Sequence, residues 1–212
     1  MVEVLYEDNH IIVCYKPKGI LSQADGGNSQ DMLTLVKEYI RDRYHKPGNV
    51  YLGLVHRLDR NTSGIMVFAK TSKAASRLSR QIQNHQFEKR YIAWVEGTLE
   101  NKEYREVITY LEKNEGERKA YPSANGQEAV LRYRVLRNFC YEGIPATELE
   151  IELKTGRFHQ IRAQMAAIGH PLLGDGKYGA SPRPGLLMPL QAYSLSFYHP
   201  TTKEYLHFEK IV

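Results

Sequence analysis

Only two cysteines, Cys14 and Cys140, occur in 212 residues, which excludes a disulfide framework; neither has a CxxC or CxH neighbour, which excludes a thiolate-rich structural zinc site. No run approaches the roughly 18 to 20 apolar residues of a membrane helix. The opening MVEVLYEDNH places acid where a secretory signal needs base. A soluble, untargeted, cytoplasmic chain without a membrane partner is expected. GDGKYG at 174–179 has the GxGxxG spacing but no following helix signature, so nicotinamide and flavin chemistry lack support, and there is no GxxxxGK[ST], so Gly174, Gly176 and Gly179 read as turn residues and no nucleotide cofactor is expected. His56, His159 and His170 are accompanied by no HExxH, paired-carboxylate or His-x-His spacing; hydrogen-bonded structural histidines are expected, and no metal. There is no repeat, low-complexity tract or linker, so one domain over 1–212 is expected, and a monomer.

What is present is ordinary globular composition: 42% hydrophobic and 25% charged positions, which excludes disorder. Lys plus Arg number 29 against 24 Asp plus Glu, a net charge of +5 that permits a polyanionic partner without requiring one. The charge is segregated. Residues 70–90 hold six bases (Lys70, Lys73, Arg77, Arg80, Lys89, Arg90) and one acid, Glu88, whereas 96–117 hold seven Glu against Lys102, Arg105 and Lys113. Lys70, Lys73, Arg77 and Arg80 recur at three- and four-residue spacing, which aligns them on one helical face. A solvated surface is the ordinary reading of such a stripe. Phosphate is a plausible ligand of the first region and not of the second.

The periodicity predicts strands at Val2–Leu5 and Ile11–Val13 around a turn, then a helix over 31–44 with Met32, Val36, Tyr39 and Arg43 at helical spacing. Strands at Tyr51–Val55 and Ile65–Ala69 flank the polar nonapeptide HRLDRNTSG. A helix over 72–84 turns Ala75, Leu78 and Ile82 inward. Strands follow at Tyr91–Val95, Glu106–Tyr110, Val130–Arg137 and Ala146–Leu153, with a polar connection at 113–127. A helix burying Ile161, Met165 and Ile168 stops at Gly169 and Pro171, and a hairpin of Gln191–Tyr198 with Glu204–Phe208 ends the chain. Many strands with three segregated helices indicate α+β around a largely antiparallel sheet.

Two segments hold the candidate chemistry. In HRLDRNTSG, Asp59 stands beside Leu58 and Arg60, with Thr62 and Ser63 three and four residues on. One reading is an Asx-type turn; the other is an exposed carboxylate on a stiff loop. In GRFHQIR, His159 and Arg162 are three apart on neighbouring positions of one helical face, and Arg162 can pair with an acid.

HRLDRNTSG at 56–64, KRYIAWVEG at 89–97, LKTGRFHQIRAQMAAIGHPLLGDGKYG at 153–179 and the opening YEDNHIIVCYKPKGIL together closely resemble the RluA family of pseudouridine synthases, from about Leu5 to Phe208. The resemblance implies a mixed, largely antiparallel sheet with flanking helices, split by a central catalytic cleft. It implies isomerisation of uridine in structured RNA, ribosomal or transfer, without cofactor or metal. Asp59 matches the catalytic aspartate, Tyr91 the active-site tyrosine and Arg162 the arginine paired with the aspartate. Arg57 matches an arginine that holds the target nucleotide out of its stack, and Ile161 lies beside the site. His56, Arg57, Lys70, Lys73, Arg77, Arg80, Lys89, Arg90 and Arg157 are the candidate RNA contacts. Many relatives carry a small RNA-binding domain ahead of the catalytic one; here the first motif begins within ten residues of Met1, so none is expected. An RNA binder without chemistry and a metal-dependent nuclease built on Asp59 and His56 are the rival readings. The first has no need of a buried charged pair.

Overall fold

A computed structural model of the chain describes residues 2–100 and 102–212. In chain order the elements are β1 (Glu3–Glu7), β2 (Ile11–Lys16), α1 (Met32–Arg43), β3 (Gly53–Leu54), β4 (Ser63–Ala69), α2 (Ser72–Gln83), β5 (Glu88–Glu96), β6 (Arg105–Asn114), β7 (Lys119–Pro122), β8 (Gln127–Tyr141), β9 (Ile144–Leu153), α3 (Gln160–Ala167), a short 3-10 turn (Gly176–Tyr178), β10 (Leu190–Tyr198) and β11 (Tyr205–Glu209). They form two compact units: one runs to Glu88 and resumes over Ala192–Val212, the other is Lys89–Gln191.

In the first unit the strand order is β1-β2-β4-β10, with β3 on β4 and β11 on β10. The pairs β1–β2, β2–β4, β3–β4 and β10–β11 are antiparallel. Every residue of β4 is buried, as are five of the six of β2, which is why both read as unbroken apolar runs rather than alternating ones. Thr71 caps α2, its hydroxyl accepting the Ala74 N–H at 3.1 Å. Ala74 and Leu78 then pack on Ile11, Val13, Ile65, Val67, Leu195 and Phe197, with Ala75 and Ile82 partly buried against them. Asp31 caps α1 through the Thr34 N–H at 3.0 Å. The buried stripe of α1 is Met32, Val36 and Ile40 rather than one that runs through Tyr39 and Arg43. A four-residue step keeps all three on one face, while the guanidinium of Arg43 stays hydrated. The strand expected at 51–55 narrows to Gly53–Leu54, because Tyr51 points to solvent.

In the second unit the order is β5-β9-β8-β6-β7, and the pairs β5–β9, β8–β9, β6–β8 and β6–β7 are antiparallel. Alternation sorts the sheet. Tyr91, Leu149, Ile151, Leu153, Leu131 and Tyr133 share one face and are buried. On the other face Glu148, Glu150 and Glu152 of β9 lie opposite Arg137, Arg134 and Arg132 of β8. The helix α3 joins the apolar face: Ala163 packs with Ala129, and Gln164 donates to the Val107 and Ala129 carbonyls at 3.1 and 3.0 Å. The helix ends where expected, with Gly169 at φ +88° taking the left-handed position and its N–H reaching the Ala166 carbonyl at 3.0 Å.

Two expectations for this unit are corrected. Ile168 is not buried; it is the C-cap of α3 and is 38% exposed, because the helix has already turned away from the sheet. The polar 113–127 connection folds as a hairpin containing β7, which lies at the end of the strand order and therefore needs no buried outer side. The α+β class, with antiparallel pairing and three helices, stands as expected.

Candidate active site

HRLDRNTSG joins β3 to β4 in the first unit, and its backbone is tied down at almost every step. The main-chain carbonyl of Asp59 accepts the Thr62 N–H at 3.0 Å, which closes the turn. One residue earlier, Ser22 grips Leu58 twice: its hydroxyl donates to the Leu58 carbonyl at 2.7 Å and accepts the Leu58 N–H at 2.9 Å. One residue later, the Arg60 carbonyl accepts from Gly19 N–H at 2.8 Å and from the Lys16 ammonium at 3.1 Å, while Arg60 Nε donates back to the Gly19 carbonyl at 3.0 Å. The second residue of β4 is Gly64, φ +143°, where a Cβ would lie 2.3 Å from the Ala192 carbonyl oxygen; only glycine allows that approach. Asp59 itself is half-buried.

Lys16 is one residue that sequence reasoning missed. It is fully buried at the end of β2, and burial pushes its pKa down to about 8, while the negative charge of Asp59 pulls it back up. An ammonium thus lies within the field of the Asp59 carboxylate, beneath the loop that carries it. The available signal was a lysine closing the apolar strand IIVCYK directly before Pro17.

His56 holds structure: its Nε2 accepts the Val67 N–H at 3.0 Å, and its ring meets Phe87 edge-on at 6.1 Å. Arg57 is exposed. The basic stripe needs one correction. Lys70 lies ahead of the Thr71 cap and not on α2; its ammonium is turned onto the Glu7 carboxylate at 2.7 Å and the Asp8 carbonyl at 2.5 Å. Arg77 is half-buried and donates to the Pro200 carbonyl at 2.9 Å. Lys73 and Arg80 are exposed on the helix.

In the second unit Tyr91 is buried on β5 opposite Ile151. Burial lowers the pKa of the neighbouring Lys89. Arg90 lies 3.7 Å from Glu152, and Arg157 is exposed with Nε donating to the Glu128 carbonyl at 2.8 Å. Arg162, in the first turn of α3, is held on two sides. Its Nε and Nη2 bind Asp175 in bidentate fashion at 2.6 and 2.8 Å, and Nη1 reaches His159 Nε2 at 2.9 Å. Both partners of the ion pair are nearly enclosed, at 12% and 3% side-chain exposure. The arginine ring contact is Tyr178, 4.8 Å from guanidinium carbon to centroid. Burial first, then the charges of Arg162, Lys177 and Lys113, lower the His159 pKa to about 3, so the imidazole is neutral. Accepting from Arg162 at Nε2 places its proton on Nδ1, which lies 3.0 Å from the Tyr178 hydroxyl. Asp175 and Tyr178 were not singled out from the sequence, in which only the glycines of GDGKYG read as turn residues.

Residues 10–167 match the family model described as RNA pseudouridylate synthase. An uncharacterized RNA pseudouridine synthase of Aquifex aeolicus is 38% identical over 219 residues, covering 98% of this chain and 68% of that protein. Ribosomal large subunit pseudouridine synthase D of Xylella fastidiosa is 35% identical over 213 residues, covering 97% of this chain and 62% of that protein. The chain therefore spans roughly two thirds of the length of these relatives. The solved structure of human RNA pseudouridylate synthase domain containing 1 has the same fold, with a TM-score of 0.80 at 23% identity over 100% of this chain and 84% of that one. The extent of the family match, and identity of this order to relatives aligned over nearly the whole chain, place it in one group: it belongs to the RNA pseudouridylate synthase family, in the RluA branch.

Proposed function

We propose that the chain isomerises uridine to pseudouridine in structured RNA, with Asp59 as the catalytic carboxylate. The observation that carries the reading is the Asp59 turn: a partly exposed carboxylate on a backbone fixed at Leu58, Asp59 and Arg60, with the buried Lys16 ammonium close enough to favour its ionised form. The reaction breaks the bond between ribose C1′ and uracil N1, joins C1′ to C5, and moves the C5 proton away. An ionised carboxylate has three routes to this: addition to the sugar, addition to the ring, or assistance in deprotonating the sugar. Tyr91 and Arg162 enter through the motifs that carry them. Tyr91 stacks on the uracil and can take the proton that leaves C5, and Arg162, whose observed carboxylate partner is Asp175, is included through its motif alone.

The target base must leave its stack, at a cost of a few kcal/mol. Phosphate contacts from the exposed Arg57, Lys73, Arg80 and Arg157 offset that cost. Relatives named as ribosomal large subunit synthases favour ribosomal over transfer RNA as the substrate. The enzyme works as a cytoplasmic monomer and needs neither metal nor cofactor.

Tritium release from C5-labelled uridine in ribosomal and transfer RNA transcripts tests the reading. Wild type is expected to release label from one RNA class with chelator present, and Asp59→Ala to release at least a thousandfold less on the order expected for loss of a reacting group. Binding by both proteins with release by neither would leave an RNA binder.

A further inference from the structure

On the α3 side of the second unit lies a cleft that the proposed chemistry does not use. It opens between the β6–β7 hairpin and the 156–158 turn, encloses about 470 Å³, and is walled by Leu111, Lys113, Gly126, Gln127, Arg157 and Phe158. That volume lies within the range of small-ligand sites. Its walls are fixed. A Cβ on Gly126 would lie 2.5 Å from the Leu111 backbone, so the turn is pressed against β6. Phe158 is stacked on His159 with ring centroids 3.9 Å apart and 19° between planes, and Lys113 Nζ stands 4.8 Å from the Phe158 centroid.

The surroundings are cationic and aromatic together. Lys119 Nζ lies 4.9 Å from the Tyr121 ring and 5.1 Å from the Tyr178 ring. Lys113 and Lys177 are close enough to act on His159. Two carboxylates lie beside these cations: Glu112, itself part of the wall, accepts from the Ser123 hydroxyl at 2.6 Å, and Glu115 pairs with Lys113 at 2.7 Å. A flat ring with cations around it, and amides at Asn125 and Gln127, is the chemistry that holds one unit of a single strand. The wall is also continuous with the Arg162 cluster, because the residue after Phe158 is His159, which accepts from Arg162.

We propose that this cleft is a subsite for an unpaired nucleotide flanking the target uridine in the same RNA. Its base lies against Phe158 in place of the Lys113 ammonium, and its phosphate meets Lys113 and Arg157. The inference rests on the RNA-modifying reading above. It also reverses the expectation that the acidic 96–117 stretch, to which Lys113 belongs, turns away from phosphate.

Photocrosslinking tests it. The full Asp59→Ala chain is irradiated with a ribosomal RNA transcript containing 4-thiouridine, and crosslinked peptides are mapped by mass spectrometry. Crosslinks within 111–113, 125–127 or 156–158 are expected; crosslinks confined to other segments overturn the proposal. No substitution in the cleft is involved, so misfolding cannot imitate the result. In parallel, Phe158→Ala is expected to weaken binding of fluorescein-labelled hexauridylate by about tenfold, with Phe158→Trp restoring it. Equal affinity in all three proteins overturns the stacking, and displacement of the oligomer by micromolar uridine monophosphate indicates a free-nucleotide site and overturns the flanking role. Tritium release by wild type is scored separately. Release without crosslinks in the cleft defeats the subsite alone, and absence of release defeats the isomerase reading.

Discussion

Three N–H directions of Arg162 are committed inside its own unit, two to Asp175 and one to His159. A guanidinium so enclosed depends on its counterion, and removing one member of a nearly buried pair costs about 3–5 kcal/mol. Asp175→Asn keeps the shape and deletes the charge, so its unfolding free energy in urea should fall by an amount of that order; an unchanged value would show that Asp175 is dispensable. His159 adds a pH dependence. An unfolded histidine takes up its proton near 6.5, whereas in the folded chain it does so only near about 3. Between those values the unfolded chain binds more protons, so this residue makes stability rise with pH across the window, by at most about 1.4 kcal/mol per pH unit. Asp8, whose pKa is lowered by backbone N–H bonds from Ile11 and His10 against the effect of burial, acts with the same sign at the acidic end. The contribution of His159 is therefore isolated by comparison with His159→Gln, whose stability should fall less steeply between pH 6.5 and 4. Parallel profiles for the two proteins would refute the assignment.

Among the elements, what could be read from sequence was whatever depended on neighbours in the chain. The stop at Gly169 and the apolar runs of β2 and β4 are local or compositional, and each was legible. The hairpin containing β7 was not, because an edge strand with one buried residue, Ala120, carries no alternation to detect. Asp59 was legible as a candidate, but the devices that hold its loop were not: the partners of Lys16 and Ser22 lie 44 and 36 residues away. Ser22 offers a test at this scale. It is buried, and its hydroxyl satisfies both main-chain groups of Leu58, so Ser22→Ala should cost about 1–3 kcal/mol. If the clamp fixes the loop for catalysis, kcat for tritium release should drop with little change in KM. A stability loss with kcat intact would confine Ser22 to folding.

For the whole molecule, net charge alone misstates what a polyanion meets. On the outer face of the second unit's sheet, Arg132, Arg134 and Arg137 have side chains 40%, 42% and 60% exposed, while the glutamates they pair with, Glu152, Glu150 and Glu148, are 15%, 7% and 18% exposed. Cross-strand pairing thus draws carboxylates inward and leaves guanidinium surface outward, and the +5 balance understates the basic surface. Affinity for RNA should accordingly depend on salt through individual cations, and the structure separates those that can contribute. Lys73 and Arg80 are exposed on α2, whereas Lys70 is drawn onto Glu7, with both side chains nearly buried. Between roughly 50 and 200 mM salt, each phosphate contact contributes about 0.7 to 0.9 to the slope of log Kd against log salt. The double variant Lys73→Ala with Arg80→Ala should lower that slope by between about 1 and 2 and weaken all RNA sequences alike. Lys70→Met should instead lower the thermal midpoint, because it strands the Glu7 carboxylate, and should leave the slope where it was. A slope that falls on losing Lys70 but not Lys73 and Arg80 would mean that RNA pulls the lysine off Glu7, and that the helix surface plays no part in binding.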